Sequence, residues 1–190
     1  MSIKKIPEFL TGEEQQLLLN VFNIRYFNSH RNKMMIKLFL ATGLRLSEMI
    51  DLQWSSINLM SGQLKVVQGK GSKDRMSWLS DVMLEELRIW KEKQTDKLGK
   101  CQYVFTNRDK GQLRDRDVRE MVVTYAKKAG ITKKISPHTL RHSFATDLLR
   151  DTKNIILVQK ALGHSDLSTT MIYTHIVDDE YEEALKNFRR

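Results

Sequence analysis

Residues 136–151 read SPHTLRHSFATDLLRD. Ser136 followed by Pro137 is an N-cap and a first helical residue in the favoured order, because the serine hydroxyl can accept an orphan amide and proline has no N–H to lose there. Leu140, Phe144 and Leu148 recur every four residues, so the helix they predict buries one side. His138, Arg141 and His142 stand at i, i+3 and i+4, share a neighbouring face and converge on one place. Three donors on a buried helix need partners from elsewhere in the chain.

Downstream, IILVQKALG (155–163) predicts a short apolar helix ended by Gly163, and the tail DDEYEEALKNFRR (178–190) begins acidic and ends basic, as a helix dipole prefers. Upstream, TGEEQQLLLNVF (11–22) carries a capping box, Thr11 with Glu14, ahead of Leu17, Leu18, Val21 and Phe22. HRNKMMIKLFLATG (30–43) places Met34, Met35, Leu38 and Phe39 at helical spacing and stops at Gly43, and LRLSEMIDLQW (44–54) sets Arg45 and Glu48 three apart on one face. The middle changes character. SSINL, LKVVQG and RMSWLS predict three short strands joined by hairpins, with the basic, glycine-spaced loop GKGSKDR (69–75) between the last two. Ser80 then caps a long helix, DVMLEELRIWKEKQTDKL, with Val82, Leu84, Leu87 and Trp90 as candidates for its buried stripe; QYVFTN is a short extended piece, and DRDVREMVVTYAKKAG (115–130) is a further helix. The expected fold class is therefore mainly α with a small three-stranded antiparallel β-sheet (α+β).

With 190 residues, 41% of them hydrophobic, the chain can build a real core. Thirty-two Lys and Arg against 23 Asp and Glu leave +9, an excess that suits a polyanionic partner such as nucleic acid. Cys101 is the only cysteine, so neither an intrachain disulfide nor a cysteine-based zinc site is available, which favours a reducing, cytoplasmic setting. No apolar run is long enough for a transmembrane helix, and MSIKKIPEFL lacks the apolar stretch of a signal peptide, so no membrane association is expected.

The segment GHSDLSTTMIYTHI (163–176) places Tyr173 between His164 and His175, and three readings compete: a half-buried aromatic, a pair of metal ligands, or a reactive tyrosine. HTLRH does set two histidines at the i, i+4 spacing of zinc hydrolases. Thr139, however, stands where the general-base glutamate would be, and no third ligand follows at familiar spacing, so no metal and no cofactor are expected. A different reading uses every residue. Arg45, Lys70, His138, Arg141 and His164 are donors suited to a phosphate, and Tyr173 is a candidate nucleophile toward it. Attack on a phosphodiester adds charge to the non-bridging oxygens, where each preorganised donor is worth about 10²–10³ in rate. A tyrosine of ordinary pKa, roughly 10, is almost wholly protonated near neutrality, so proton transfer must assist; His138 is the natural acceptor, and Lys70 can protonate the departing sugar oxygen.

ATGLRLSEM, GKGSKDR, PHTLRHSFATDLL and LGHSDLSTTMIYTH, in that order, resemble the catalytic-domain motifs of the tyrosine recombinase (phage integrase) family, most closely its Xer and transposon-integrase branch. The resemblance implies the tyrosine recombinase catalytic-domain fold and a site-specific recombinase that cleaves and rejoins DNA through a 3′-phosphotyrosyl bond without metal or ATP. By position it implies Arg45 and Arg141 as phosphate-clamping arginines, Lys70 as the hairpin general acid, His138 as the acid/base, His164 as a phosphate-binding histidine and Tyr173 as nucleophile. Glu48 and His142 match supporting positions, while Lys73 and Arg75 are expected on the DNA backbone and His175 matches no catalytic position. Two other activities use the same constellation or fold: a type IB topoisomerase, and a non-catalytic DNA-binding regulator.

The resemblance also divides the chain. Residues 1–10 resemble an interdomain linker remnant, 11–176 the catalytic domain and 177–190 a C-terminal helix that can dock on a neighbouring protomer through Leu185 and Phe188 or pack on its own domain; the family's N-terminal core-binding domain has no counterpart in the sequence. The implied partners are double-stranded DNA and further copies of the chain, four in the synaptic complex, with a nucleoid-associated location when bound.

Overall fold

The computed structural model describes residues 8–67 and 74–164, together with Thr170 and Tyr173. Lys70, Lys73, His175, most of the expected linker and the whole 177–190 segment with Leu185 and Phe188 lie outside the described residues. Among the described residues, seven α-helices and one hairpin follow in the order α1 (Gly12–Asn20), α2 (Phe27–Thr42), α3 (Leu46–Ile50), β1 (Gln63–Val66), β2 (Arg75–Trp78), α4 (Asp81–Leu98), α5 (Asp115–Lys128), α6 (Pro137–Thr152) and α7 (Ile155–Leu162).

Several helix starts follow directly from their caps. The Thr11–Glu14 capping box is formed, with the Glu14 amide donating to Thr11 Oγ1 at 3.3 Å and the Thr11 amide to Glu14 Oε2 at 2.8 Å. Ser136 accepts from the Thr139 amide with Pro137 opening α6, and Asn154 caps α7 by accepting from the Ile156 and Leu157 amides. α2 begins at Phe27, before the expected histidine, and nothing in its N-cap side chain marks that start.

Among the described residues the sheet has two strands, not the expected three. β1 and β2 pair antiparallel with Gln63 opposite Trp78 and Val66 opposite Arg75, whereas SSINL contributes only the end of a 3-10 turn, Trp54–Ser56, and a single bridge from Ile57 to Leu64. Asn58 explains the difference: its side-chain oxygen accepts from the Met60 and Ser61 amides, turning the chain one residue after Ile57, before a strand can extend.

α2 is the central helix. Met34, Met35, Ile36, Leu38 and Phe39 are all buried, because α1, α4 and α6 pack around it and leave no broad solvent face. α4 contributes Met83, Leu84, Leu87 and Trp90, with Val82 exposed instead, and the Trp90 indole N–H is satisfied by the Val104 carbonyl at 2.8 Å. α6 straddles two cores. Leu140 joins the large cluster around α2, while Ala145 and Leu149, with Phe144 and Leu148 beside them, form a small satellite core with Val158, Leu162 and Tyr173. Gly43 sits at the junction between the two. It closes α2 at φ +60°, and a Cβ there would overlap the Phe144 ring. Among the described residues no helix is long and apolar enough to cross a membrane.

Candidate active site

The Gly43 turn delivers Arg45 to the N-cap of α3, where its amide donates to Glu48 Oε2 at 2.7 Å and its guanidinium to Glu48 Oε1 at 2.8 Å. The same carboxylate receives a second arginine. Arg75, at the start of β2, donates through both terminal nitrogens to the two Glu48 oxygens, each at 2.8 Å, and through Nε to the Ala161 carbonyl at 3.1 Å. Burial alone would raise the Glu48 pKa, but hydrogen bonds from Arg75 and the Arg45 amide outweigh it and hold the group at about 2. The carboxylate is therefore ionised at any working pH.

Arg75 thus departs from the expectation of a DNA-backbone contact. It is 9% exposed and three of its nitrogens are committed inside the protein, so a phosphate on the surface would have to compete with a bidentate carboxylate.

Arg141 is buried as well. It donates to the Gly43 carbonyl, to the Leu162 carbonyl at 2.8 Å and to His164 Nε2 at 3.1 Å. Ala161 and Leu162 end α7, whose last carbonyls lack helical partners, so the two arginines act as its C-terminal caps at the negative end of the dipole. Burial, then repulsion from Arg45 and Arg75, lowers the Arg141 pKa to about 10, which leaves it charged near neutrality. His164 receives the Arg141 hydrogen bond on Nε2, which makes Nδ1 the protonated nitrogen, and that N–H donates to Thr170 Oγ1 at 3.0 Å. Burial and the adjacent Arg141 and Arg45 charges push its pKa down to about 4.

Tyr173 is 3% exposed, its amide bonded to the Thr170 carbonyl and its ring in the satellite core. Its hydroxyl lies 2.5 Å from His142 Nδ1. Burial raises the tyrosine pKa to about 12 despite the Arg141 charge, while burial and the neighbouring His138 and Arg141 lower His142 to about 4. Between those values the phenol donates to a neutral imidazole. His138, one turn earlier on α6, is exposed at the mouth of the same pocket, which Arg45, Arg141, His142, His164 and Tyr173 also line.

The structure therefore brings together five of the six expected catalytic side chains, with Lys70 outside the described residues. It also adds groups that the sequence reading missed. Thr170 fixes the His164 tautomer, the Ala161 and Leu162 carbonyls hold two arginines, and Asp115 and Arg119 at the start of α5 line the far wall of the pocket. Only the carbonyls had a local signal, the helix end marked by Gly163. Among the described residues no group of three or more His, Cys, Asp or Glu could hold a metal ion.

Residues 8–180 match the phage integrase family. The tyrosine recombinase XerD of Staphylococcus saprophyticus is 38% identical over 188 residues, which are 97% of this chain and 63% of that protein. The crystal structure of XerA recombinase superposes with a TM-score of 0.83 at 29% identity, covering 99% of this chain and 67% of that one. XerH site-specific recombinase, bound to palindromic difH substrate in a post-cleavage complex, gives 0.81 at 30% identity over 98% of this chain and 54% of that one. The chain belongs to the phage integrase (tyrosine recombinase) family and has its catalytic-domain fold. It spans a little under two thirds of the curated relatives it matches.

Proposed function

We propose that this chain carries the catalytic centre of a site-specific DNA recombinase. The observation that carries the reading is the convergence of Arg45, Arg141, His164, His138 and Tyr173, drawn from three separate parts of the sequence, on one pocket of a recombinase fold. A phosphodiester seated between the two arginines and His164 would meet donors already held in place, the requirement for stabilising added charge on its non-bridging oxygens. Tyr173 Oη attacks phosphorus, an O–P bond forms, the P–O5′ bond breaks and the DNA is left with a 3′-phosphotyrosyl linkage and a free 5′-hydroxyl. Attack by that hydroxyl, or by one from another strand, reverses the steps with no ATP, since the linkage conserves the bond.

The protons need two groups. His142 holds the tyrosine hydroxyl, but burial pushes the phenol up to about 12 and, with His138 and Arg141, the imidazole down to about 4, so this pair stores the proton instead of moving it. An anionic phosphate entering the pocket favours the charged form of each histidine but, as a like charge, opposes a free phenolate, so the phenol proton leaves as the O–P bond forms. His138, open to the pocket, takes the acid/base role, and Lys70 protonates the leaving oxygen. The substrate we propose is double-stranded DNA, a reading supported by XerH, which is bound to difH substrate; the working assembly that the family resemblance implies is a tetramer on two duplexes.

A nicked suicide duplex, selected by covalent capture from a randomised pool, tests the reading. The wild-type chain should give a covalent adduct in EDTA that disappears in Tyr173→Phe. Binding without an adduct leaves a DNA-binding regulator, plasmid relaxation without strand exchange leaves a topoisomerase, and loss of the adduct in EDTA overturns the metal-free mechanism.

A further inference from the structure

Arg75 is a buried cation without a part in the chemistry proposed above, yet its bonds reach the supports of both proposed phosphate-clamping arginines. Both of its terminal nitrogens bind the carboxylate that also holds Arg45, and its Nε binds the carbonyl next to the one that holds Arg141. It stands at the first residue of β2, opposite Val66, and so pins the base of the hairpin whose loop contains GKGSKD to both arginines at once.

Charge counting shows why a second cation is required there. Glu48 bonded to Arg45 alone would form a neutral pair, and the carboxylate would draw the Arg45 fork into bidentate contact, away from a phosphate. With Arg75 taking one bond at each Glu48 oxygen, the carboxylate holds Arg45 by its amide and one guanidinium nitrogen and not by a bidentate fork, and the Arg45 side chain stays 38% exposed. We infer that Arg75 is a positioning residue for the recombinase reaction: it occupies the Glu48 carboxylate so that this group orients Arg45 without clasping its fork, and it ties the hairpin and the end of α7 to that arrangement. The inference rests on the recombinase reading of the pocket.

Its test uses the whole chain and the captured suicide duplex. Arg75→Gln, Arg45→Ala and the double variant are compared for single-turnover adduct formation, for DNA affinity across a salt series and for thermal midpoint. Arg75→Gln should slow adduct formation on the order of tenfold or more, by analogy with other supporting residues behind reactive groups, with affinity within about twofold and an unchanged salt slope. In the Arg45→Ala background the same change should cost less than about twofold, since positioning an absent group has no value. Arg75→Lys, which keeps the charge but not the fork, should recover part of the rate and serves as the comparison if the glutamine variant fails to fold. A salt slope reduced by about one would make Arg75 a DNA contact. An equal cost in both backgrounds would make it a fold-stabilising residue only. Either result overturns the inference. Absence of any adduct from wild type would instead sink the recombinase reading, and the inference with it.

Discussion

The two sides of the pocket are built on opposite plans. The side proposed to seat the phosphate is a network of fixed donors: Arg45, Arg75 and Arg141 are tied to one carboxylate and three backbone carbonyls, and His164 is locked between Arg141 and Thr170. The side of the proposed nucleophile is a neutral tyrosine packed in a satellite core of five buried residues, its proton held on a hydrogen bond to His142. The donors are in place before any charge arrives, whereas the tyrosine is kept neutral by burial, so its proton has to leave during attack and not before it.

The sharpest way to break this comparison is to remove the group that belongs to both sides. Arg141 clamps the proposed phosphate position and is also the charge that opposes the rise in the Tyr173 pKa. Arg141→Ala should lower adduct formation by about 10²–10³ or more while leaving non-specific DNA binding mostly in place, measured by single-turnover cleavage and by filter binding at two salt concentrations. Equal loss of both would reduce Arg141 to a DNA-holding residue.

The histidines give the next largest effect and a direct ranking. If His138 carries the proton and His142 only stores the tyrosine, His138→Ala should cost about 10² in cleavage rate and His142→Ala nearer tenfold. The reverse ranking, read from the same single-turnover assay, would move proton transfer to the residue that touches the tyrosine in the structure.

These sides differed equally in how far the sequence revealed them. The helix starts at Thr11, Ser80 and Ser136 and the buried run of α2 are local properties, and residues such as Leu18, Leu38 and Phe39 fell in the core as their spacing requires. Ordered motifs marked the pocket residues, although nothing local draws Arg45 to Arg141. Arg75 was expected on the DNA backbone because it follows a basic, glycine-spaced loop, and its burial becomes intelligible only with Glu48, 27 positions earlier. The Tyr173–His142 contact was equally out of reach, since 31 residues separate them. The third strand failed for the opposite reason: the competing signal, Asn58, was local and stronger than the strand pattern it interrupted.

The clamp also has an acid limit. Glu48 titrates near 4.5 in the unfolded chain and near 2 when folded, so the unfolded state binds more protons between those values and stability rises with pH across that window. The contribution, up to about 3 kcal/mol, is fully present above pH 4.5 and is lost as pH falls through 2. Urea midpoints at pH 3 and pH 6 should therefore differ less in Glu48→Gln than in wild type. An identical pH response in the two proteins would mean that the carboxylate is not held by its arginines.

Gly43 offers the smallest effect and the most direct probe of how the two sides are joined. Its carbonyl accepts from Arg141, so it belongs to the clamp, while its α-carbon faces Phe144 and Leu162 beside the tyrosine, so it also belongs to the satellite core. Alanine there must tolerate φ +60° and displace the Phe144 ring, at a cost of about 2 kcal/mol in a urea melt. The cleavage rate should fall as well, even at temperatures where the variant is fully folded, because Phe144 cannot shift without disturbing the packing around Tyr173. A destabilised variant that cleaved at the wild-type rate would show that the clamp and the tyrosine's core move independently, and the contrast between them would then be one of location only.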